Sequence, residues 1–558
     1  MTSDSTIGVV ELELLWARLQ AIADEMQSML VRTVLSTVIR INLDCATAVF
    51  DQDGTMLAQP TSCAPGQIAA MPRLMSAFLA ELEEGELLPG DVFVTSDPWI
   101  GSGHTPDVYI VSPVFEADRL VAFVATAGHQ IDFGGRVGPV DSVDVFEEGL
   151  LLPVSRLYRA GARNDELWRI IGANVRMREK ILHDLEAQVA CNELGRRRLK
   201  DLMLEFSLND LRPVARAIVD TTESAMRRRI AEVGDFEMRT EQAIEVLDEE
   251  GRQLRIAVHL QISGDEVVID YAGTSAQVKV PVNCVYNYTL AYSVLGVKFA
   301  LAPELPYNAG TQRPFTVKAP EGSILNARRP ASVRWRITVG QQLPELMLRA
   351  LTPHVPDRVI ADCGSSPMWL WMFSGWDRRH GRFVFQSHFM GGLGARAMRD
   401  GTPTTSFPFN MSDTPVEVWE NETPVLVQER RLITDSGGAG RHRGGPGQRI
   451  QFSVAPGSSQ NLDGPLHIGL SGGRFQTPPQ GLAGGGPGTP GRVFVDGIHF
   501  ARPLGEIDVT EQTTVTMELP GGGGFGDPTT RDPAEVRRDV EDGLVSDEAA
   551  RSVYGVVT

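Results

Sequence analysis

The sequence predicts an α+β protein built from several subdomains, and three observations predict it. Residues 9–41 contain no glycine or proline and place Leu12, Leu15, Trp16, Leu19, Ile22, Met26, Met29 and Leu30 at helical spacing. That is the pattern of an amphipathic helix. Short apolar runs at residues 91–95, 108–115 and 120–127 have the length and composition of strands. Beyond residue 432 the composition shifts sharply toward glycine, which marks a loop-rich, mainly β segment. At 558 residues the chain is too long for one core. It divides into an α+β region at 1–235 carrying the candidate metal ligands, a mixed β/α region at 236–431 and a glycine-rich, mainly β region at 432–558.

After the first helix the period changes, and residues 42–50 read as a strand closed by the Asp53-Gly54 turn. Asp44 sits in that strand between Leu43 and Cys45, where it is expected to be partly buried. A buried carboxylate needs a cation, a metal or several donors, which makes Asp44 a candidate metal ligand. The strands that follow border two repeats of one motif, His104-Thr105-Pro106-Asp107 and His129-Gln130-Ile131-Asp132. Imidazole and carboxylate are the ligand types that zinc, manganese and iron accept. One His-x-x-Asp also fits an ordinary hydrogen-bonded pair. Two so close together, among only ten histidines, favour a metal site.

Asn164 is placed to cap a second helical block, with Asp165 and Glu166 in its first turn. The block is expected to run to about residue 204 and to be broken or bent near Gly172. Its basic residues, Arg176, Arg178, Lys180, Arg196, Arg197, Arg198 and Lys200, form a solvated face or a dock for an acidic partner. Residues 254–260 and 266–271 alternate as strands around the turn Ser263-Gly264-Asp265, and helical patterning returns at 341–351. Three glycine runs, 435–447, 484–488 and 520–528, read as tight turns among short strands. An anion cradle reinforced by Arg441 and Arg443 is the second reading, but none has the phosphate-loop form. Residues 532–545 read as a terminal helix.

A net charge of −19 argues against nucleic-acid or anionic-membrane partners. No apolar stretch approaches bilayer length, and residues 1–6 lack the features of a signal peptide. The five cysteines are scattered, without a Cys-x-x-Cys, as expected of free thiols in a reducing cytoplasm. No His-Glu-x-x-His or kinase signature occurs. The other eight histidines, His380 included, are isolated; His388, in Gln386-Ser387-His388, is the one held in reserve.

The stretch from Ser96-Asp97-Pro98-Trp99 through Gly101-Ser102-Gly103-His104 to Asp107 resembles a signature of the hydantoinase B/oxoprolinase family. Residues 128–135 are similar to its second signature, and further matches follow in order to residue 528. The resemblance implies one divalent metal ion (zinc, manganese or iron) on Asp44, His104, Asp107 and His129, and a cytoplasmic hetero-oligomer with a hydantoinase A-type subunit. That partner would use ATP to phosphorylate a small amide or enolisable ketone. The expected activity is opening of a hydantoin, oxoproline or lactam ring by metal-activated water. A ketone carboxylase subunit and a non-catalytic assembly subunit are the alternatives. Asp132 is the candidate for orienting a ligand or moving a proton, with structural support of the site as its other reading. One departure stands out: many members carry histidine within the segment that here reads Pro60-Thr61-Ser62-Cys63-Ala64-Pro65-Gly66-Gln67.

Overall fold

The N-terminal strands pair into one antiparallel sheet. They are β1 (Cys45–Asp51), β2 (Met56–Ala58), β3 (Val92–Thr95), β4 (Asp107–Glu116), β5 (Arg119–His129), β6 (Ser155–Arg159) and β7 (Ala162–Arg163), in the order β2-β1-β5-β4-β3-β6-β7. The computed structural model describes residues 8–82, 86–379, 381–500 and 502–557, so residues 1–7 and His380 lie outside it. Every residue of β1 is buried, because helices cover the sheet on both sides. Ala46, Ala48, Phe50, Phe123 and Ala125 pack toward the helices Pro65–Ala80 and Tyr286–Leu301. Cys45, Val49 and Val124 pack toward Val9–Thr33 and Arg178–Glu205. Burial on two faces replaces the apolar–polar alternation of a half-buried strand with a continuous apolar run.

Two helices stop where a distant carboxylate takes their backbone donors. The first helix ends at Thr33, inside the span free of glycine and proline, and a short helix, Thr37–Arg40, follows. Asp184 accepts from the Leu35 N–H at 2.6 Å, the Ser36 N–H at 3.2 Å and the Ser36 hydroxyl. Asn164 caps the second block as expected, accepting from the Leu167 N–H. The block breaks between Asp165–Asn174 and Arg178–Glu205, beyond Gly172. There Asp132 accepts from the N–H groups of Arg176 and Met177.

The strands Phe236–Leu247, Gln253–Ser263 and Glu266–Asp270 form a second sheet, with Phe315–Lys318 parallel to the last. A third sheet joins Trp369–Asp377, Gly381–Phe389, Leu466–Ser471 and Leu504–Val509, so it takes strands from both sides of residue 432. It shares an aromatic core of Trp369, Trp371, Phe373, Trp419 and Phe452 with a five-stranded fourth sheet. The expected terminal helix forms at Pro533–Glu541, and a second short helix, Asp547–Ser552, follows it.

The glycine runs are not tight turns. They lie side by side as extended segments bonded backbone to backbone: Gly392 N–H to Pro520 O at 2.9 Å, Gly522 N–H to Gly445 O at 2.9 Å, Gly524 N–H to Gly486 O at 2.9 Å. A Cβ on Gly392 would fall 1.9 Å from Gly445 O, an approach only glycine permits. These bonds occupy N–H groups that an anion cradle would need. All five cysteines are buried and unpaired, and among the described residues no helix is long and apolar enough to cross a membrane.

Candidate metal centre

Three adjacent strand ends bring the predicted ligands together. The register of β4 and β5 sets Asp107 opposite His129, and that of β1 and β5 sets Cys45 opposite Gly128. Asp44 therefore stands just before β1, following Leu43 at φ +62°, and its carbonyl accepts from the His129 N–H at 3.1 Å. The loop before β4 returns His104 over Asp107. All four side chains are buried, none more than 7% exposed.

His129 Nδ1 lies 3.1 Å from Asp107 Oδ1 and 3.7 Å from Asp44 Oδ2, and His104 Nε2 lies 3.0 Å from Asp107 Oδ2. Ligand atoms of His104, Asp107 and His129 fall within 4.8 Å of one another. His104 Nδ1 has no hydrogen-bond partner. Burial pushes Asp44 up to about 7, against the pull of His129. Burial opposes ionisation of Asp107 too, yet His104, His129 and Arg336 hold its carboxyl well below the usual range. Burial, then Arg336, keeps His104 well below the usual imidazole range, so it offers lone pairs. Two imidazoles and two carboxylates crowded without enough protons between them form a donor set that a divalent cation fits.

Sequence reasoning missed the residues that steady this set. Arg336 donates to Asp107 Oδ2 at 2.9 Å and stacks over Tyr288, while its Nη1 has no partner. Gln67 donates to Asp44 Oδ1 at 3.0 Å and Asp107 Oδ1 at 3.2 Å, and its Oε1 is unpaired. The only sequence signal was the departure at residues 60–67, which contains Gln67. Asp132 is not drawn into the cluster. Its carboxylate accepts from Gly134, Arg176 and Met177 N–H groups and pairs with the Arg176 guanidinium at 2.8 Å.

A cavity of about 40 Å³ lies among the four residues, walled also by Gln67, Tyr288, Tyr292, Arg336 and Gln341. It has room for an ion and a water, not for an organic substrate. A second cavity of about 820 Å³ shares Pro65 with it and has the size of a small-molecule site. Its wall includes Thr61, Cys63, Lys298, Tyr307 and Phe407.

The family model described as hydantoinase B/oxoprolinase matches residues 9–528. The chain is 27% identical to a putative D-/L-hydantoinase subunit of Pseudomonas sp. (strain NS671), covering 99% of this chain and 95% of that one. The crystal structure of the ATP-dependent caprolactamase from Pseudomonas jessenii superposes with a TM-score of 0.89 at 28% identity, over 99% of this chain and 97% of that one. The nucleotide-free acetone carboxylase structure gives a TM-score of 0.87 at 18% identity, over 98% and 79%, a likeness of fold.

Proposed function

The chain belongs to the hydantoinase B/oxoprolinase family, and on that premise we propose that it is the metal-binding subunit of an ATP-dependent cyclic-amide hydrolase. It opens a hydantoin, oxoproline or lactam ring beside a hydantoinase A-type subunit that uses ATP. The observation that carries this reading is the buried cluster of Asp44, His104, Asp107 and His129, with His104 Nδ1 unpaired, next to a substrate-sized cavity. A relative named as one subunit of a hydantoinase and a solved ATP-dependent caprolactamase support the substrate class and the partner.

A divalent ion bound here would supply Lewis acidity and lower the pKa of water toward about 7. The chain's own residues do the rest. Arg336 and Gln67 hold the two carboxylates in place. Tyr288, Tyr292 and Met368 line the small cavity and limit the water in it. Asp132 supports the turn after His129 through its four contacts and acts on the site only by holding that turn. Where many relatives carry histidine, this chain sets Thr61 and Cys63 in the wall of the larger cavity, so that wall offers no imidazole for proton transfer.

The test gives the reconstituted pair ATP with hydantoins, oxoproline, lactams and ketones, with and without labelled bicarbonate. Ring-opened product without bicarbonate is the expected result. Product formed only from a ketone, and only with incorporated label, would overturn it in favour of carboxylation.

A further inference from the structure

The hairpin strand Gly381–Phe389 sets Gln386 and His388 on one face, both fully buried. Gln386 Oε1 lies 3.1 Å from His129 Nε2, and Gln386 Nε2 lies 3.1 Å from His388 Nε2. These four atoms form a chain from the candidate metal ligand to a second buried imidazole. An amide oxygen only accepts and an amide nitrogen only donates. His388 is held neutral, because burial lowers it to about 3. With the Gln386 amide oriented as in the structure, its NH₂ donates to His388 Nε2, whose proton then lies on Nδ1, and the amide oxygen requires a proton on His129 Nε2. His129 is left with a lone pair on Nδ1, the nitrogen that faces Asp107 Oδ1 at 3.1 Å and Asp44 Oδ2 at 3.7 Å. Acceptor atoms this close repel one another unless a cation lies among them. The opposite orientation of Gln386 would turn its NH₂ toward His129 and move the imidazole proton to Nδ1, where it would block the ligand position.

We propose that Gln386 and His388 are positioning residues that lock His129 in its Nε2-protonated form, so that Nδ1 is its metal-ligating atom. The proposal rests on the metal reading above and adds to it which atom binds and what holds that atom ready. It also gives the reserve histidine of the sequence a role that does not require contact with substrate. Sequence proximity could not reveal it, because His129 and Gln386 meet only when the third sheet packs against the end of the first.

Two measurements on the purified chain test it: zinc affinity, by competition with a chromophoric chelator, and ¹⁵N shifts of histidine-labelled protein, with His129 assigned through His129→Ala. The parent should show a pyrrole-like Nε2 at His129. Gln386→Leu should weaken zinc binding roughly 10–100-fold and lose the single tautomer, the range for outer partners of a ligating histidine. His388→Phe should weaken binding less, since the Gln386 oxygen remains. Gln386→Glu, which keeps an acceptor at His129 Nε2, should bind zinc at least as well as the parent. A pyridine-like Nε2 in the zinc-bound parent would overturn the proposal without any variant, so it survives a failure of Gln386→Leu to fold. Parental affinity in Gln386→Leu, or equal losses in the Leu and Glu variants, would also overturn it while leaving the metal reading intact. A parent that binds no zinc, manganese or iron overturns both.

Discussion

His104 buries a ring nitrogen, Nδ1, that makes no hydrogen bond, an arrangement costing about 1–3 kcal/mol. A fold keeps such a side chain where a ligand relieves the cost, so His104→Ala and His129→Ala should each strip the metal and leave the fold intact. Elemental analysis finding full metal content in both variants would contradict the site. Asp107 is the sharper case. Removing its carboxylate leaves Arg336 without its buried ion partner, and Asp107→Ala should therefore destabilise the chain by about 3–5 kcal/mol, read in urea unfolding of the metal-free protein. A loss as small as that of His104→Ala would show that Arg336 finds another partner. The ligand types were legible in the sequence because His-x-x-Asp is spaced locally and histidine is rare in this chain. Arg336, Gln67 and Gln386 were not, since each reaches the cluster from another element and carries no local pattern.

At the scale of elements, two distant carboxylates fix where helices end. Asp184 and Asp132 act across the fold, and a helical period contains no trace of an acceptor that arrives from elsewhere. The helix Tyr286–Leu301 escaped notice for the opposite reason: it is buried on nearly every side and has no polar face to mark a period. The strands were legible because their apolar runs are bounded by glycine and by the metal motifs. Asp132→Ala should cost about 2–4 kcal/mol, more than a surface cap, because it removes a buried acceptor of several bonds. Metal content should stay at the parental level. Parental stability with lost turnover would instead assign Asp132 to proton transfer. The glycine layers can be tested independently. Gly392→Ala drives a Cβ into Gly445 O, whereas Gly457, at φ +81° with open space around it, meets only backbone strain. Thermal melts should show Gly392→Ala unfolded or severely destabilised and Gly457→Ala lower by about 1–2 kcal/mol; equal effects would show that close packing of the layers does not require glycine.

Across the whole molecule, Glu148 ties the loop between β5 and β6 to the segment that carries Arg336, accepting from the N–H groups of Val333 and Arg334 at 2.7 and 2.8 Å. Burial raises it from 4.5 to about 7 despite bonds from Ser332, Arg334 and Val333. The folded chain therefore binds this proton more tightly than the unfolded chain. Its contribution is fully present below pH 4.5 and is lost as pH rises to about 7, by about 3 kcal/mol at 1.36 kcal/mol per unit. Urea unfolding at pH 5 and pH 8 should show the parent losing stability relative to Glu148→Gln as pH rises; parallel curves would remove the linkage. Charge and packing together bear on the proposed division of labour with a partner. ATP is a polyanion, and this chain carries a net charge of −19. Its glycine runs, the segments best suited to cradle phosphate, bond to one another through N–H groups that a nucleotide would need. The purified chain should therefore turn over no ATP, and ring opening should appear only when a hydantoinase A-type subunit is added. Robust ATP hydrolysis by the contaminant-free chain would overturn that division, because the glycine layers would then have to open to a ligand that their packing excludes.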